Sequence, residues 1–498
     1  MASRASGVLM HITSLPGPYG IGTMGRYGKD FIDFLKSAGQ KYWQILPVGP
    51  TGYGNSPYQA YSAFAGNPFI IDLEALIEAG YLSLEQVMAV DFGEDAEKVD
   101  YDKIIRHKVQ LLKSAYKVFL ETHDATEMKS FKKAHHWIEE YSLFMALKEH
   151  HDQRPWYEWA QSYKERNRRS LETFKATHAE AIEFWVFVQW IFYEQWSDLK
   201  TYANRHGVEI IGDMPIYVST DSADTWAHMT LFHFDVHCNP VAVAGCPPDA
   251  FSATGQLWGN PLYNWSENEK SGFDWWIKRM ASSMELYDVI RIDHFRGFES
   301  FWEIPAGDET AENGSWQKGP GMKLFDAIRQ AIPDVRIIAE DLGFLTEAVV
   351  KLVQDSGYPG MKVLQFAFDS REESDYLPHN YDSHCIVYTG THDNDTVMGW
   401  FENAAPEDIA MAKAYLALNE KEGYNWGFIR GAWSSVAEIA IAPMQDFLGL
   451  GTVHRMNIPS TIGGNWEWRI HPEDLTKALA KRLFEMTKMY GRLEKKDA

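Results

Sequence analysis

The order of apolar runs in this 498-residue sequence predicts a (β/α)₈ barrel with helical and loop insertions. Three observations carry that expectation. Short and almost continuously apolar runs alternate with longer helix-like stretches, the pattern of parallel strands buried on both faces. Eight such runs are found along the chain. Four of them lead directly into a carboxylate, and in barrels the chemistry sits where strands end.

The candidate strands are Gly7–Ile12, Tyr42–Val48, Val208–Met214, Tyr287–Asp293, Arg336–Glu340, Met361–Phe366, Cys385–Thr389 and Ile439–Pro443. Helical patterns lie between them. The stretch GRYGKDFIDFLKSAG, from Gly25, follows the first strand, and Ile182–His206 precedes the third and stops at Gly207. Lys323–Ala331 stops short of Pro333, which cannot continue a helix. A barrel needs roughly 250 residues. The sequence is therefore read as one catalytic barrel domain over residues 1–498, interrupted by insertions. A mostly helical one covers residues 70–180, where Glu, Lys and His crowd around Thr122–Arg169. A loop-rich one, over residues 217–270, is expected to lie across the cleft.

Composition narrows the function. Acidic residues number 69 against 47 basic ones, a net charge of −22. Nucleic acids and anionic membranes both reward basic patches, so neither is expected as a partner. A neutral substrate suits this balance. Cys238, Cys246 and Cys385 are sparse and form no CxxC pair, which favours a reducing cytoplasm over a disulfide framework or zinc. No run reaches the roughly 20 apolar residues of a membrane span, and the N-terminus lacks a signal-peptide pattern. Aromatic residues make up 14% of the chain, with 19 Trp. Most belong in the core, but those in polar glycine-rich loops can stack on the C–H faces of sugar rings.

The strand ends carry the candidate chemistry. The third run ends on Asp213, the fourth on Asp293 and the fifth on Glu340, and the seventh leads to Asp393. A single acid after a strand is more often a helix cap, as expected of Asp395 before its apolar helical pattern. Four at one rim point to a site. Strand alternation puts Arg291 and Asp293 on one face, where the guanidinium would favour an ionised aspartate. Glu340 and Asp341 are neighbours, so only one can face the barrel mouth. Two carboxyl groups suffice for retaining glycoside chemistry, one as nucleophile and one as acid and then base.

At these residues the chain resembles the amylomaltase family, the bacterial 4-α-glucanotransferases within the α-amylase superfamily. The agreement runs nearly end to end. It covers SGVLMHITSLPGPYGIG (from Ser6), WQILPVGPTGYGNSPYQAYSAFAGNP (from Trp43), GDMPIYV (from Gly212) and PPDAFSATGQLWGNP (from Pro247). It continues through RIDHFRG (from Arg291), AEDLG (from Ala339), GTHDND (from Gly390), RMNIPS (from Arg455) and NWEWR (from Asn465). The resemblance implies Asp293 as nucleophile, Glu340 as acid/base in preference to Asp341, and Asp393 as transition-state stabiliser. It implies that His392 touches the sugar, that Arg291 orients Asp293, and that Asp213 orients the site. Tyr53, Ser56, Tyr58, Asp249, Gln256, Trp258, His294 and Asn465 are implied as glucan contacts. Ala250 stands where some relatives carry an aromatic in the covering loop, and Phe251 follows it.

The implied substrates are maltodextrin, amylose or glycogen-derived glucans, with glucose or a maltodextrin as acceptor and no cofactor or metal. Three other readings are open to the residues. A simple α-glucan hydrolase would use the same acids. A metal-dependent barrel could hold magnesium on Asp293, Glu340 and Asp393, although Arg291 would repel the ion and a chelator separates the two. A non-catalytic glucan-binding member of the superfamily would have lost the acids, which are present here.

Overall fold

The computed structural model describes residues 4–248, 252–343, 345–371 and 373–494, and the side chain of Tyr53 is outside the description. Eight parallel strands form the centre: β1 (Ala5–Leu9), β2 (Tyr42–Gln44), β3 (Glu209–Met214), β4 (Val289–Ile292), β5 (Ile337–Ala339), β6 (Gly360–Val363), β7 (Cys385–Tyr388) and β8 (Ile439–Pro443). They follow one another in the sheet in chain order, and β1 pairs with β8 as well as β2. The remaining seam is bridged where the Ala339 N–H donates to the Pro359 carbonyl at 2.9 Å. The sheet is thus closed into a barrel, with helices around it.

Every expected strand is present, but several are shorter than their apolar runs. In the sixth, Leu364–Ala367 turns into a 3₁₀ helix instead of extending the strand. Leu364 and Ala367 are buried here as strand residues would be, so hydrophobicity alone gives no sign of where pairing stops. Packing around the barrel is close. Gly212 precedes Asp213 on β3, and a Cβ there would meet ring carbons of Tyr287 at 2.1–2.3 Å.

The helices Tyr101–Thr122, Thr126–Ala134, Ile138–His150 and Arg168–Thr177 occupy the region read as a helical insertion. They pack on the helix Ala179–Arg205 through an aromatic cluster that includes Phe119, Trp137, Phe187, Trp190 and Tyr193. That long helix also reaches the barrel, where Trp196 Nε1 donates to the Leu286 carbonyl at 2.8 Å. Much of the tryptophan surplus is used in this packing. The segment read as loop-rich carries more order than expected. Ala242–Cys246 and Gln256–Pro261 belong to a four-stranded antiparallel sheet, completed by Ser300–Pro305 and Ser315–Lys318. These strands are partly exposed, and two of them, Ala242–Cys246 and Gln256–Pro261, contain a glycine, so they lack the apolar runs that mark the barrel strands. Among the described residues, no helix is long and apolar enough to cross a membrane. No disulfide joins the cysteines.

Candidate active site

Because the eight strands are parallel, everything that follows their C-terminal ends lies at one mouth of the barrel. Asp213 lies near the end of β3, Arg291 is in β4 and Asp293 directly follows it. Glu340 directly follows β5, and His392 and Asp393 lie just beyond β7.

Arg291 organises the centre. Its Nη1 donates to both Asp213 oxygens at 2.8 and 2.6 Å and to Asp293 Oδ1 at 3.0 Å. The Asp213 side chain is fully buried, whereas that of Asp293 is 30% exposed. Asp213 is therefore the inner, structural partner and Asp293 is the one that can meet a ligand. Burial works against the charge on Arg291, but Asp213 and Asp293 together hold it well above its ordinary pKa. Arg291 favours the ionised form of Asp293, as expected, but it does not set the net shift. Burial outweighs Arg291, and Asp213 and Asp393 add to it, so the Asp293 carboxyl is pushed up to about 6. It is still predominantly ionised at neutral pH.

Glu340 is held by the main chain. Its Oε2 accepts from the His294 N–H at 2.6 Å and its Oε1 from the Leu342 N–H at 2.8 Å. The first bond depends on His294 being in the left-handed region, φ 53° and ψ 48°, a conformation that costs a residue with a Cβ about 1–3 kcal/mol. Burial, then the charge on Asp293, raises the Glu340 carboxyl to about 7, against the pull of Arg291 and the two N–H groups. Asp341 faces elsewhere: its Oδ1 accepts from the Met361 N–H at 2.7 Å at the start of β6. Of the two neighbouring acids, Glu340 is the one beside Asp293.

Tyr58, in the loop after β2, donates its hydroxyl to Asp213 Oδ2 at 2.8 Å. Burial, then Asp213, raises the Tyr58 phenol well above its ordinary pKa, so it remains a donor. Its ring stacks on His392 at 5.1 Å, and Trp466 lies 5.9 Å from Tyr58 and 6.0 Å from His392. On the other side, Trp258 meets the His294 ring edge to face at 4.8 Å, and Gln256 Oε1 accepts from Trp258 Nε1 at 3.1 Å. Burial, then Arg296, pulls the His294 imidazole down to about 3, so it is neutral. Ser56 is used locally, its Oγ accepting from the Tyr58 N–H at 3.2 Å. Tyr53 lies in a short 3₁₀ turn of the same loop. Asp249 and Phe251 lie outside the described residues.

One expectation changes in the loop after β7. Asp395 is not the helix cap. Thr396 is, its side chain accepting from the Gly399 N–H. Asp395 instead accepts from the Thr396 N–H, Asn403 Nδ2 and Thr452 Oγ1. The one-residue shift arises because both residue types can cap, and the helix begins at Val397. Asn465 commits its amide to its own loop, accepting from the Ile458 N–H and donating to the Thr461 carbonyl and hydroxyl.

Sequence reasoning also passed over three residues. Asp446, almost wholly buried, accepts from Thr389 Oγ1 at 2.6 Å and the Val397 N–H at 2.7 Å, clasping both ends of the loop that carries His392 and Asp393. Arg455 Nη2 donates to the Asp393 carbonyl at 2.8 Å, and Asn457 Nδ2 donates to Asp393 Oδ1 at 2.7 Å. A signal for Asp446 existed in the acid that follows β8, and one for the other two in the RMNIPS stretch.

The sequence matches the family described as 4-alpha-glucanotransferase over residues 10–476. It is 50% identical to the 4-alpha-glucanotransferase of Clostridium butyricum, over 97% of this chain and 100% of that one. Identity to the Thermus thermophilus 4-alpha-glucanotransferase is 48%, over 98% of this chain and 99% of that one. The fold superposes on the amylomaltase of Streptococcus agalactiae, solved in complex with acarbose, with a TM-score of 0.97 and 44% identity, covering 99% of this chain and 100% of that one. A barrel mouth lined by paired acids, and likeness over almost the whole length of these enzymes, place this chain in the 4-α-glucanotransferase family of glycosyl-transferring enzymes.

Proposed function

We propose that the chain transfers segments of α-1,4-glucan by a retaining double displacement, with Asp293 as nucleophile, Glu340 as acid/base and Asp393 as stabiliser. One observation carries this reading. Asp293 and Glu340 stand together at one barrel mouth, Asp293 accepting from the Arg291 guanidinium and Glu340 from the main-chain N–H groups of His294 and Leu342. The cation beside Asp293 favours its ionised form, and burial raises the Glu340 carboxyl. Glu340 donates its proton to the glycosidic oxygen as Asp293 attacks the anomeric carbon. The C–O bond to the leaving glucan breaks and a glycosyl–Asp293 ester forms. An acceptor hydroxyl then gives its proton to Glu340 and displaces Asp293. Each cycle breaks one glycosidic bond and makes one, and two inversions restore the α configuration. Asp393 and His392 meet the sugar hydroxyls, and Arg291 and Asp213 hold Asp293 in place.

The Streptococcus agalactiae relative was solved in complex with acarbose, which supports a carbohydrate ligand for this chain. The donors are maltodextrin, amylose or glycogen-derived glucans, and the acceptor is glucose or a maltodextrin. Tyr58, Trp258 and Gln256 border the cleft where such chains would lie, with Tyr53 and Ser56 on the adjoining loop. The thiols of the three cysteines fit a reducing cytoplasm.

Water at roughly 55 M competes with the acceptor for the ester. A transferase prevails by holding a sugar hydroxyl in line, where effective molarities reach about 10⁵ M or more. Maltotriose should yield glucose and a ladder of longer maltodextrins, with total reducing ends nearly constant. A rise in reducing ends in step with substrate loss, without longer products, refutes the transfer reading.

The two carboxyl groups also set the pH dependence. Asp293 must be deprotonated and Glu340 protonated. Activity should therefore fall below about pH 6 as Asp293 takes up a proton, and above about pH 7 as Glu340 loses one. The kcat/KM profile on a maltodextrin should be a narrow bell between these limbs. A flat profile from about pH 5 to 9 contradicts the assignment.

A further inference from the structure

We infer that Asn457 is a positioning residue, whose amide aims the Asp393 carboxylate at the anomeric centre. The inference rests on the reading of Asp393 as transition-state stabiliser. Its basis is geometric. Asp393 stands five residues beyond the end of β7, and its side chain is 48% exposed. A carboxylate so placed would sample several rotamers, each turn carrying its charge away from the developing cation. Two contacts from one segment oppose this. Arg455 holds the residue's carbonyl, and Asn457 Nδ2 reaches Oδ1 at 2.7 Å. His392 Nε2 is farther away, at 3.4 Å.

The segment that presents Asn457 is anchored without it. The Trp466 N–H donates to the Met456 carbonyl at 2.7 Å, and Gln445 Nε2 donates to the His454 carbonyl at 3.2 Å. Asn465 ties Ile458 to Thr461. The Asn457 amide is therefore spent on Asp393, not on shaping its own loop.

The chemistry of the donor fits the task. A lysine or arginine at this point would orient the carboxylate but offset its charge. A neutral amide fixes direction and leaves the full negative charge for the cation forming at the sugar. It occupies one lone pair of Oδ1, leaving Oδ2 for the sugar hydroxyls.

Three variants of the full chain test this, with maltotriose as substrate and thermal unfolding as a check on folding. Asn457→Ala should lower kcat roughly ten- to hundredfold and change KM less than about threefold. In an Asp393→Ala background, Asn457→Ala should change the residual rate less than about twofold, because the carboxylate it aims is gone. Asn457→Asp replaces the donor with a second carboxylate close to the first. It should cost more than alanine at pH 8, and its rate relative to wild type should recover as the pH falls to 5, where the pair shares a proton.

Wild-type kcat in Asn457→Ala overturns the inference. So does an equal loss in both backgrounds, which marks a general loop defect, or an Asn457→Asp rate ratio that does not vary with pH. If Asp393→Ala alone keeps near wild-type activity, the stabiliser reading itself fails and the positioning role falls with it. That outcome is read from a different variant, so the two failures are distinct.

Discussion

Asp293→Asn should abolish turnover, by at least about 10⁴-fold in kcat, while glucan affinity stays within severalfold of wild type. The amide has the same shape as the carboxylate. Its oxygen can still accept from Arg291 Nη1, which now contacts Oδ1 at 3.0 Å. Arg291 also keeps both oxygens of Asp213, so the charged centre does not collapse. The amide cannot attack the anomeric carbon, and the other acids at the mouth are committed elsewhere: Asp213 is buried behind Arg291, Glu340 is tied to two main-chain N–H groups, and Asp393 is held by Asn457. Steady-state kinetics on maltotriose and calorimetric titration with a longer maltodextrin measure the two quantities. A variant within tenfold of wild-type kcat would remove Asp293 from its assigned role.

Glu340→Gln should slow both half-reactions, by about 10²–10⁴-fold on a natural glucan. An α-maltosyl fluoride donor separates the halves, because fluoride leaves without needing a proton. With this donor, ester formation should recover and lose its decline above about pH 7, since no acid is required. Transfer to an acceptor should stay slow, because its hydroxyl finds no base. The glycosyl ester on Asp293 should then accumulate and be visible by mass spectrometry. Near wild-type rates on maltotriose, or no rescue by the fluoride, would refute the role of Glu340. Glutamine also turns one N–H toward a main-chain N–H that now donates to the carboxylate, so a modest loss of stability should accompany the kinetic effect.

The barrel and its acids were legible because they leave local signatures. Val289–Ile292 and Cys385–Tyr388 are buried throughout, and such strands must be apolar whichever way their residues point, Arg291 being the functional exception. The acids that follow them are read from the same alignment of strand ends. The small antiparallel sheet was not legible, since Gln256–Pro261 is half exposed and punctuated by Gly259. The sign of the Asp293 shift depended on burial, which a two-residue spacing to Arg291 does not reveal. Asn457 and Asp446 act across 64 and 57 residues of chain, and neither distance leaves a periodicity to detect. Asn465 and Ser56 were named from the resemblance, and the structure shows both engaged in local hydrogen bonds.

The left-handed turn at His294 has an evolutionary corollary. Asp293 and Glu340 are coupled through a main-chain N–H, and the next peptide repeats the link, the Phe295 N–H donating to the Glu340 carbonyl at 2.9 Å. Replacements at 294 or 295 other than proline keep both N–H donors, so long as residue 294 holds the left-handed conformation. Point mutation can therefore reshape the outer loops while the main-chain links that set the interval between Asp293 and Glu340 are preserved.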